Sequence, residues 1–140
     1  MSITVKYQEG TRFEVQSRNH KIIVDQPESE EGTDQGMTPV ELFVASLASC
    51  IAYYASTFLR RHISDLKKLE VQSSWQYLEK PHRIGAIHFV ILVPRILIEA
   101  EKKGLLRTVE HCTVENTIRY NPSISVDIKA GEEEKENLHL

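Results

Sequence analysis

The sequence predicts a single α+β domain, and three observations predict it. Short stretches of alternating polar and apolar residues open the chain, with turn residues between them. A long uncharged run with a well-marked start follows from Thr38. Period-two alternation then returns after Asp65.

Ile3, Val5 and Tyr7 alternate with Thr4 and Lys6, and Glu9-Gly10 supplies a turn. Phe13 and Val15 alternate from Arg12 onward, and His20 to Asp25 carries the branched run Ile22-Ile23-Val24. These predict three short strands, paired antiparallel because their connections are short. Gln26 to Gly36 is acidic and rich in turn residues, which predicts a surface loop.

The start of the long run is specified locally. Thr38 suits an N-cap, Pro39 the first helical position, and Glu41 the third position of a capping box. The helix is expected to run to about Arg61 or His62, about 36 Å at 1.5 Å per residue. Its middle is apolar on every side, so burial all round is expected. The uncharged stretch Leu42 to Leu59 falls just short of the about 20 apolar residues a membrane span needs. It also carries Ser46, Ser49, Ser56 and Thr57, which makes a core helix the better reading. Ala45, Ser49, Ala52 and Ser56 form a stripe of small residues that lets another backbone approach closely. The length of the helix against so short a chain points to a homodimer around it; the monomer's own sheet and second helix are the alternative cover.

After Asp65, Leu69, Val71, Trp75 and Tyr77 share one face, and Glu79 to Arg83 turns the chain. Ile87 to Val93 is nearly continuously apolar, so this hairpin is expected to bury its second strand. Ile98 to His111 has a helical pattern with Leu105, Leu106 and Val109 inward, although Gly104 inside it costs about 1 kcal/mol relative to Ala. A further helical segment starts near Cys112. Ser123 to Lys129 alternates, and a last strand with Ile124, Val126 and Ile128 inward is expected. Gly131 to Leu140 is acidic and without period, a tail expected to fray. The whole of residues 1–140 reads as one domain, with no repeat and no linker.

Composition limits the partners. The chain has 140 residues, 41 % of them hydrophobic and 26 % charged, with a formal net charge of −3. A chain of this length buries roughly 65–70 % of its unfolded surface. The weak negative charge and scattered basic residues argue against nucleic acid. The N-terminal residues lack the apolar segment of a secretory signal, and only two cysteines are present. Both facts point to a reducing, cytoplasmic setting.

Cys50 and Cys112 are the chemistry-bearing residues. Cys50 lies within the uncharged helix, where burial alone would make a thiol inert. A reactive Cys50 needs a cation and a path to solvent. Cys112 stands at the cap position of Cys112-Thr113-Val114-Glu115, and a helix N-terminus favours a thiolate there. Too distant for a CxxC motif, the two are candidates for a redox pair brought together by folding; the alternative is two small buried hydrophobes. His20, His62, His88 and His111 could in principle join the thiols around zinc, but their spacing matches no short-range zinc ligand pair. No phosphate-binding glycine loop, nucleophile elbow or nucleotide fingerprint is present.

The run from Asp34 to Cys50, Asp-Gln-Gly-Met-Thr-Pro-Val-Glu-Leu-Phe-Val-Ala-Ser-Leu-Ala-Ser-Cys, resembles the signature of the OsmC/Ohr family of osmotically inducible and organic-hydroperoxide-resistance proteins. Glu110 to Ile118 resembles its second cysteine segment. Arg18-Asn19-His20 and Asp25-Gln26-Pro27 also fit, so the resemblance covers nearly the whole chain. It falls with the broad OsmC-like branch rather than the dedicated hydroperoxide reductases.

The resemblance implies an intertwined homodimer with two long central helices and two active sites at the subunit interface. It further implies a thiol peroxidase cycle: the Cys50 thiolate takes an oxygen from an organic hydroperoxide, and Cys112 resolves the sulfenic acid to a disulfide. A dithiol or a thiol protein then regenerates the pair. No metal, flavin or haem is required. Phe43, Leu47, Tyr53 and Tyr54 would give Cys50 apolar walls.

The supporting residues depart from the family pattern. The family glutamate, ten residues before the first cysteine, is Val40 here. Glu41 lies nine before, about half a turn away from Cys50, and is better explained as a capping residue. Arg12 is the first counterpart of the family arginine and Arg18 the second. Thr113 stands where the family often has proline. A second function class stays open: a dimeric stress-associated protein with redox-silent cysteines that binds an apolar small molecule at its interface.

Overall fold

The computed structural model describes residues 1–130. The predicted acidic tail, from Gly131 to Leu140, lies outside the described residues. Strands β1 (Thr4–Glu9), β2 (Arg12–Ser17) and β3 (His20–Val24) form an antiparallel sheet in the order β1-β2-β3. Val5 pairs with Val15, and Phe13 with Val24. Gly10, at φ +55, makes the turn that Glu9-Gly10 predicts.

The loop that follows β3 contains a single 3₁₀ turn at Glu28–Glu30. It is fastened by Asp25, which is only 1 % exposed. The Asp25 carboxylate accepts from Thr11 Oγ1 at 2.6 Å, the Gln26 N–H at 2.8 Å, the Gln35 N–H at 3.1 Å and both the hydroxyl and the N–H of Thr33. These bonds hold its pKa well below the ordinary carboxylate value, the Thr11 and Thr33 hydroxyls contributing most.

Helix α1 spans Pro39–Leu59 and begins with the predicted capping box. The Thr38 N–H donates to Glu41 Oε2 at 2.8 Å, and the Glu41 N–H donates to Thr38 Oγ1 at 3.2 Å. It ends at Leu59, two to three residues short of the expected Arg61 or His62, with Arg60 as C-cap.

All-round burial of α1 is not found in this chain. The buried residues are Val44, Leu47, Ile51, Ala55 and Leu59, one stripe at helical spacing. Tyr53 on the other side is 63 % exposed and Phe43 41 %. Within the described residues its cover comes chiefly from the later hairpin and the two helices that follow that hairpin.

β4 (Glu70–Leu78) and β5 (Arg83–Leu92) form the predicted hairpin as a separate two-stranded sheet. A register shift opposite Gln76 and Tyr77 leaves Gly85 of β5 unpaired, a bulge on that strand, while Trp75 and Tyr77 line one pocket together. Nor is β5 buried on both faces: Ile84, Ile87, Phe89 and Ile91 are half-buried, whereas His88, Val90 and Leu92 are exposed. A two-stranded sheet with helices on one side buries only that side.

α2 (Glu99–Val109) and α3 (Thr113–Arg119) complete the order. The core gathers Ala55, Leu59, Leu97 and Leu105, with Phe58, Ile63, Ile91 and Val109 packed around it. Gly104 is explained here: a Cβ would come within 2.7 Å of the Phe58 ring, so glycine lets α2 approach α1. Glu101 ties α2 to the preceding loop, its carboxylate taking both Arg95 guanidinium nitrogens at 2.9 Å and the Ile98 N–H at 3.1 Å.

The expected last strand is absent. Residues Ser123 to Lys129 lie in no strand, and Ile124, Val126 and Ile128 are 84 %, 84 % and 98 % exposed. A strand needs a ladder partner, and none lies beside the segment among the described residues. Among the described residues, the apolar positions of β1 are exposed as well.

Candidate functional site

Cys50 and Cys112 are brought together. Cys50 lies at the start of the fourth turn of α1 and is half-buried; Cys112 is fully buried, and both are free thiols. Helix α3 packs on α1 and brings the Cys112 thiol near enough to Cys50 for each to feel the other's charge.

Cys112 caps α3 as its position in the sequence predicts. Its sulfur accepts the Glu115 N–H at 3.4 Å. The expected stabilisation of a thiolate is nevertheless overturned. The Cys112 pKa is raised above the ordinary thiol value, first by burial and then by the neighbouring Cys50, and these outweigh the Glu115 and Val114 N–H groups that lower it. Two backbone donors do not replace the hydration that a buried anion forgoes.

Of the residues expected as walls, Leu47 is buried, Tyr54 half-buried, and Phe43 and Tyr53 are exposed. Tyr53 and Tyr54 meet edge to face with centroids 5.3 Å apart. The Tyr54 hydroxyl reaches across to α3, 3.5 Å from Thr113 Oγ1. This pairing is invisible in the sequence, since the two residues belong to different helices.

The supporting charges are elsewhere. Arg12 donates from Nε to Gln8 at 3.2 Å and from Nη2 to Glu9 at 3.4 Å, both on its own hairpin. Arg18 sits in the β2–β3 turn at φ +54 and is exposed. Among the described residues, neither thiol is hydrogen-bonded by an arginine or lysine side chain. Glu41 is occupied by the Thr38 cap. Among the described residues no three or more His, Cys, Asp or Glu side chains gather as a metal site, and His20, His62, His88 and His111 do not converge with the thiols.

A separate apolar cavity of about 650 Å³ lies between β5 and α2, lined by Phe89, Ile91, Val93, Leu97, Leu105 and Leu106 among others. It includes neither cysteine. A second, of about 390 Å³, is where the β1–β3 sheet meets the start of α1, between Val5, Phe13, Val15 and Val24 and the pair Pro39 and Leu42.

Comparison with curated protein sequences gives no match. Solved structures give many. A protein from Psychrobacter arcticus 273-4 named for osmotic stress induction and detoxification response is 24 % identical, with a TM-score of 0.75 over 84 % of this chain and 87 % of that one. An organic hydroperoxide resistance protein OsmC from Legionella pneumophila is 20 % identical, with a TM-score of 0.62 over 86 % and 91 %. The organic hydroperoxide resistance protein OhrB of Bacillus subtilis is 18 % identical, with a TM-score of 0.58 over 91 % and 96 %. At such identities the likeness establishes the fold. The OsmC-like protein family itself matches residues 32–127, a segment that spans both cysteines. The chain therefore belongs to the OsmC-like protein family.

Proposed function

We propose that the chain is a thiol-dependent peroxidase that reduces organic hydroperoxides to alcohols. The observation that carries this reading is the proximity of a half-buried Cys50 and a buried, protonated Cys112, both free thiols on two packed helices. The names of the Legionella and Bacillus neighbours support it at the level of the fold.

In the proposed cycle the Cys50 thiolate attacks the O–O bond of ROOH. Sulfur takes one oxygen and is oxidised to sulfenic acid, and the alkoxide leaves and is protonated to ROH. Cys112 then attacks that sulfur, and its proton leaves with the hydroxyl as water. The product is a Cys50–Cys112 disulfide, which an external dithiol or thiol protein reduces by exchange. The apolar walls favour an organic peroxide over hydrogen peroxide. Arg12 is proposed as the cation for Cys50, with Arg18 as the second choice, reaching it from a partner subunit or after release from Glu9.

The working form is proposed to be a homodimer in a reducing, cytoplasmic setting. The chain exposes 11585 Å², whereas a folded monomer of 16.1 kDa is expected to expose about 7,400 Å². Exposed apolar residues on β1, on α1 and in the 123–129 segment account for part of the difference.

The test is dithiol-driven consumption of an alkyl hydroperoxide. Cys50→Ser abolishes it, and Cys112→Ser consumes peroxide until Cys50 is over-oxidised. Consumption by Cys50→Ser at the wild-type rate contradicts the reading. The cavity between β5 and α2 favours a second reading, an apolar-ligand binder with silent thiols, in which peroxide leaves the protein mass unchanged.

A further inference from the structure

The peroxidase cycle leaves one cross-helix contact unused. Tyr54 lies one turn beyond Cys50 on α1, and an aromatic side chain in a helix leans back over the preceding turn. That spacing puts Tyr54 on the same side of α1 as Cys50, and the edge-on contact with Tyr53 restricts its ring. Its hydroxyl ends 3.5 Å from Oγ1 of Thr113, the first residue of α3 and the chain neighbour of Cys112. That separation is about half an ångström longer than the roughly 2.5–3.0 Å of an O–H···O bond, and a movement of under one ångström closes it. Thr113 is exposed, and the Tyr54–Thr113 contact is its only side-chain oxygen contact to α1 among the described residues.

Resting on the peroxidase reading, we propose that the Tyr54–Thr113 hydroxyl pair is a positioning clasp that holds the start of α3 against α1, keeping Cys112 poised to resolve oxidised Cys50. Neither residue handles the peroxide oxygens; both act through Cys112. Proline at position 113, the residue the family often has, would supply no hydroxyl, so the clasp belongs to this chain's own sequence.

The consequence lies in a competition. Once Cys50 carries a sulfenic acid, Cys112 can attack its sulfur, forming the disulfide and releasing water. Alternatively a second ROOH transfers its oxygen to that sulfur, giving a sulfinic acid and ROH. The first path depends on how often Cys112 sits in attacking geometry. The second depends only on peroxide concentration. A clasp shifts the partition toward the disulfide.

Two assays on wild type, Tyr54→Phe, Thr113→Val, the double variant and Thr113→Ser test this. In the first, Cys50 is converted to its mixed disulfide with glutathione, and release of glutathione by Cys112 is timed. In the second, excess cumene hydroperoxide is added and the sulfinic acid fraction is read by intact mass. Tyr54→Phe and Thr113→Val are expected to slow glutathione release about three- to tenfold, as loss of one neutral hydrogen bond does. Both raise the sulfinic fraction, the double variant is no worse than either single, and Thr113→Ser restores wild-type behaviour. The Thr113 variants keep the wild-type rate of Cys50 oxidation. Unchanged release rates, or losses that add in the double variant, overturn the clasp. The mixed-disulfide assay uses no peroxide, so it judges the clasp even where wild-type thiols resist peroxide, a result that would overturn the peroxidase reading instead.

Discussion

The Cys112 sulfur accepts the Glu115 backbone N–H at 3.4 Å, yet Cys112 holds its proton more tightly than an ordinary thiol. Burial and the adjacent Cys50 thiol together exceed what a helix N-terminus gives back. At neutral pH this side chain is therefore a neutral thiol. In the reduced protein, iodoacetamide is expected to label half-exposed Cys50 well before Cys112. Labelling of Cys112 should rise only as pH passes above the ordinary thiol value of 9.0. Equal labelling of both at pH 7 would refute the assignment. The linkage has the same sign: a raised folded pKa favours the native state below the unfolded value, and that contribution fades at alkaline pH.

Glu41 gives a second prediction. It closes the α1 cap and faces away from Cys50, so Glu41→Ala is expected to cost about 0.5–2 kcal/mol of stability, read by urea unfolding. The rate of peroxide consumption should stay within about twofold, a smaller change than loss of an activating interaction produces. A collapse in rate with stability intact would make Glu41 part of the chemistry.

Acid should loosen the two places where carboxylates are held ionised. The Asp25 pKa lies well below its ordinary value, and that of Glu101 is lowered to about 2, chiefly by the Arg95 hydrogen bonds. A depressed folded pKa contributes stability above the unfolded value, near 4, and loses it as pH falls toward the folded one. Thermal unfolding should therefore weaken progressively below about pH 4. Asp25→Asn should flatten part of that slope while lowering Tm at pH 7, because an amide cannot accept all the bonds Asp25 accepts. A variant with the wild-type slope would contradict this role.

What the sequence made legible was local. The Thr38 cap, the Glu9-Gly10 turn, the β4–β5 hairpin and the Cys112 start of α3 each depend on residues within a few positions, and each is found. Long-range cover was not legible. The burial of α1, the pairing of Ser123 to Lys129 and the second face of β5 depend on what packs against them, and one chain leaves all three uncovered. Cys112 shows the same limit in its electrostatics, where motif position pointed to a thiolate and burial reversed it. The Tyr54–Thr113 contact could have been sought from the i, i+4 spacing of Cys50 and Tyr54, but its partner on α3 could not.

The uncovered surface carries a prediction of its own. Sedimentation should give a particle of twice the 16.1 kDa chain mass. Tyr53→Lys, which places a charge on the exposed side of α1, is expected to weaken the dimer by at least about tenfold if that side is the interface. A wild-type monomer at micromolar concentration would contradict the dimer.

The most direct measurement is the intact mass of the reduced protein after one equivalent of cumene hydroperoxide. A loss of two hydrogens is expected, with Cys50 and Cys112 joined in one peptide pair after digestion. An unchanged mass with both thiols still free to alkylate would contradict it.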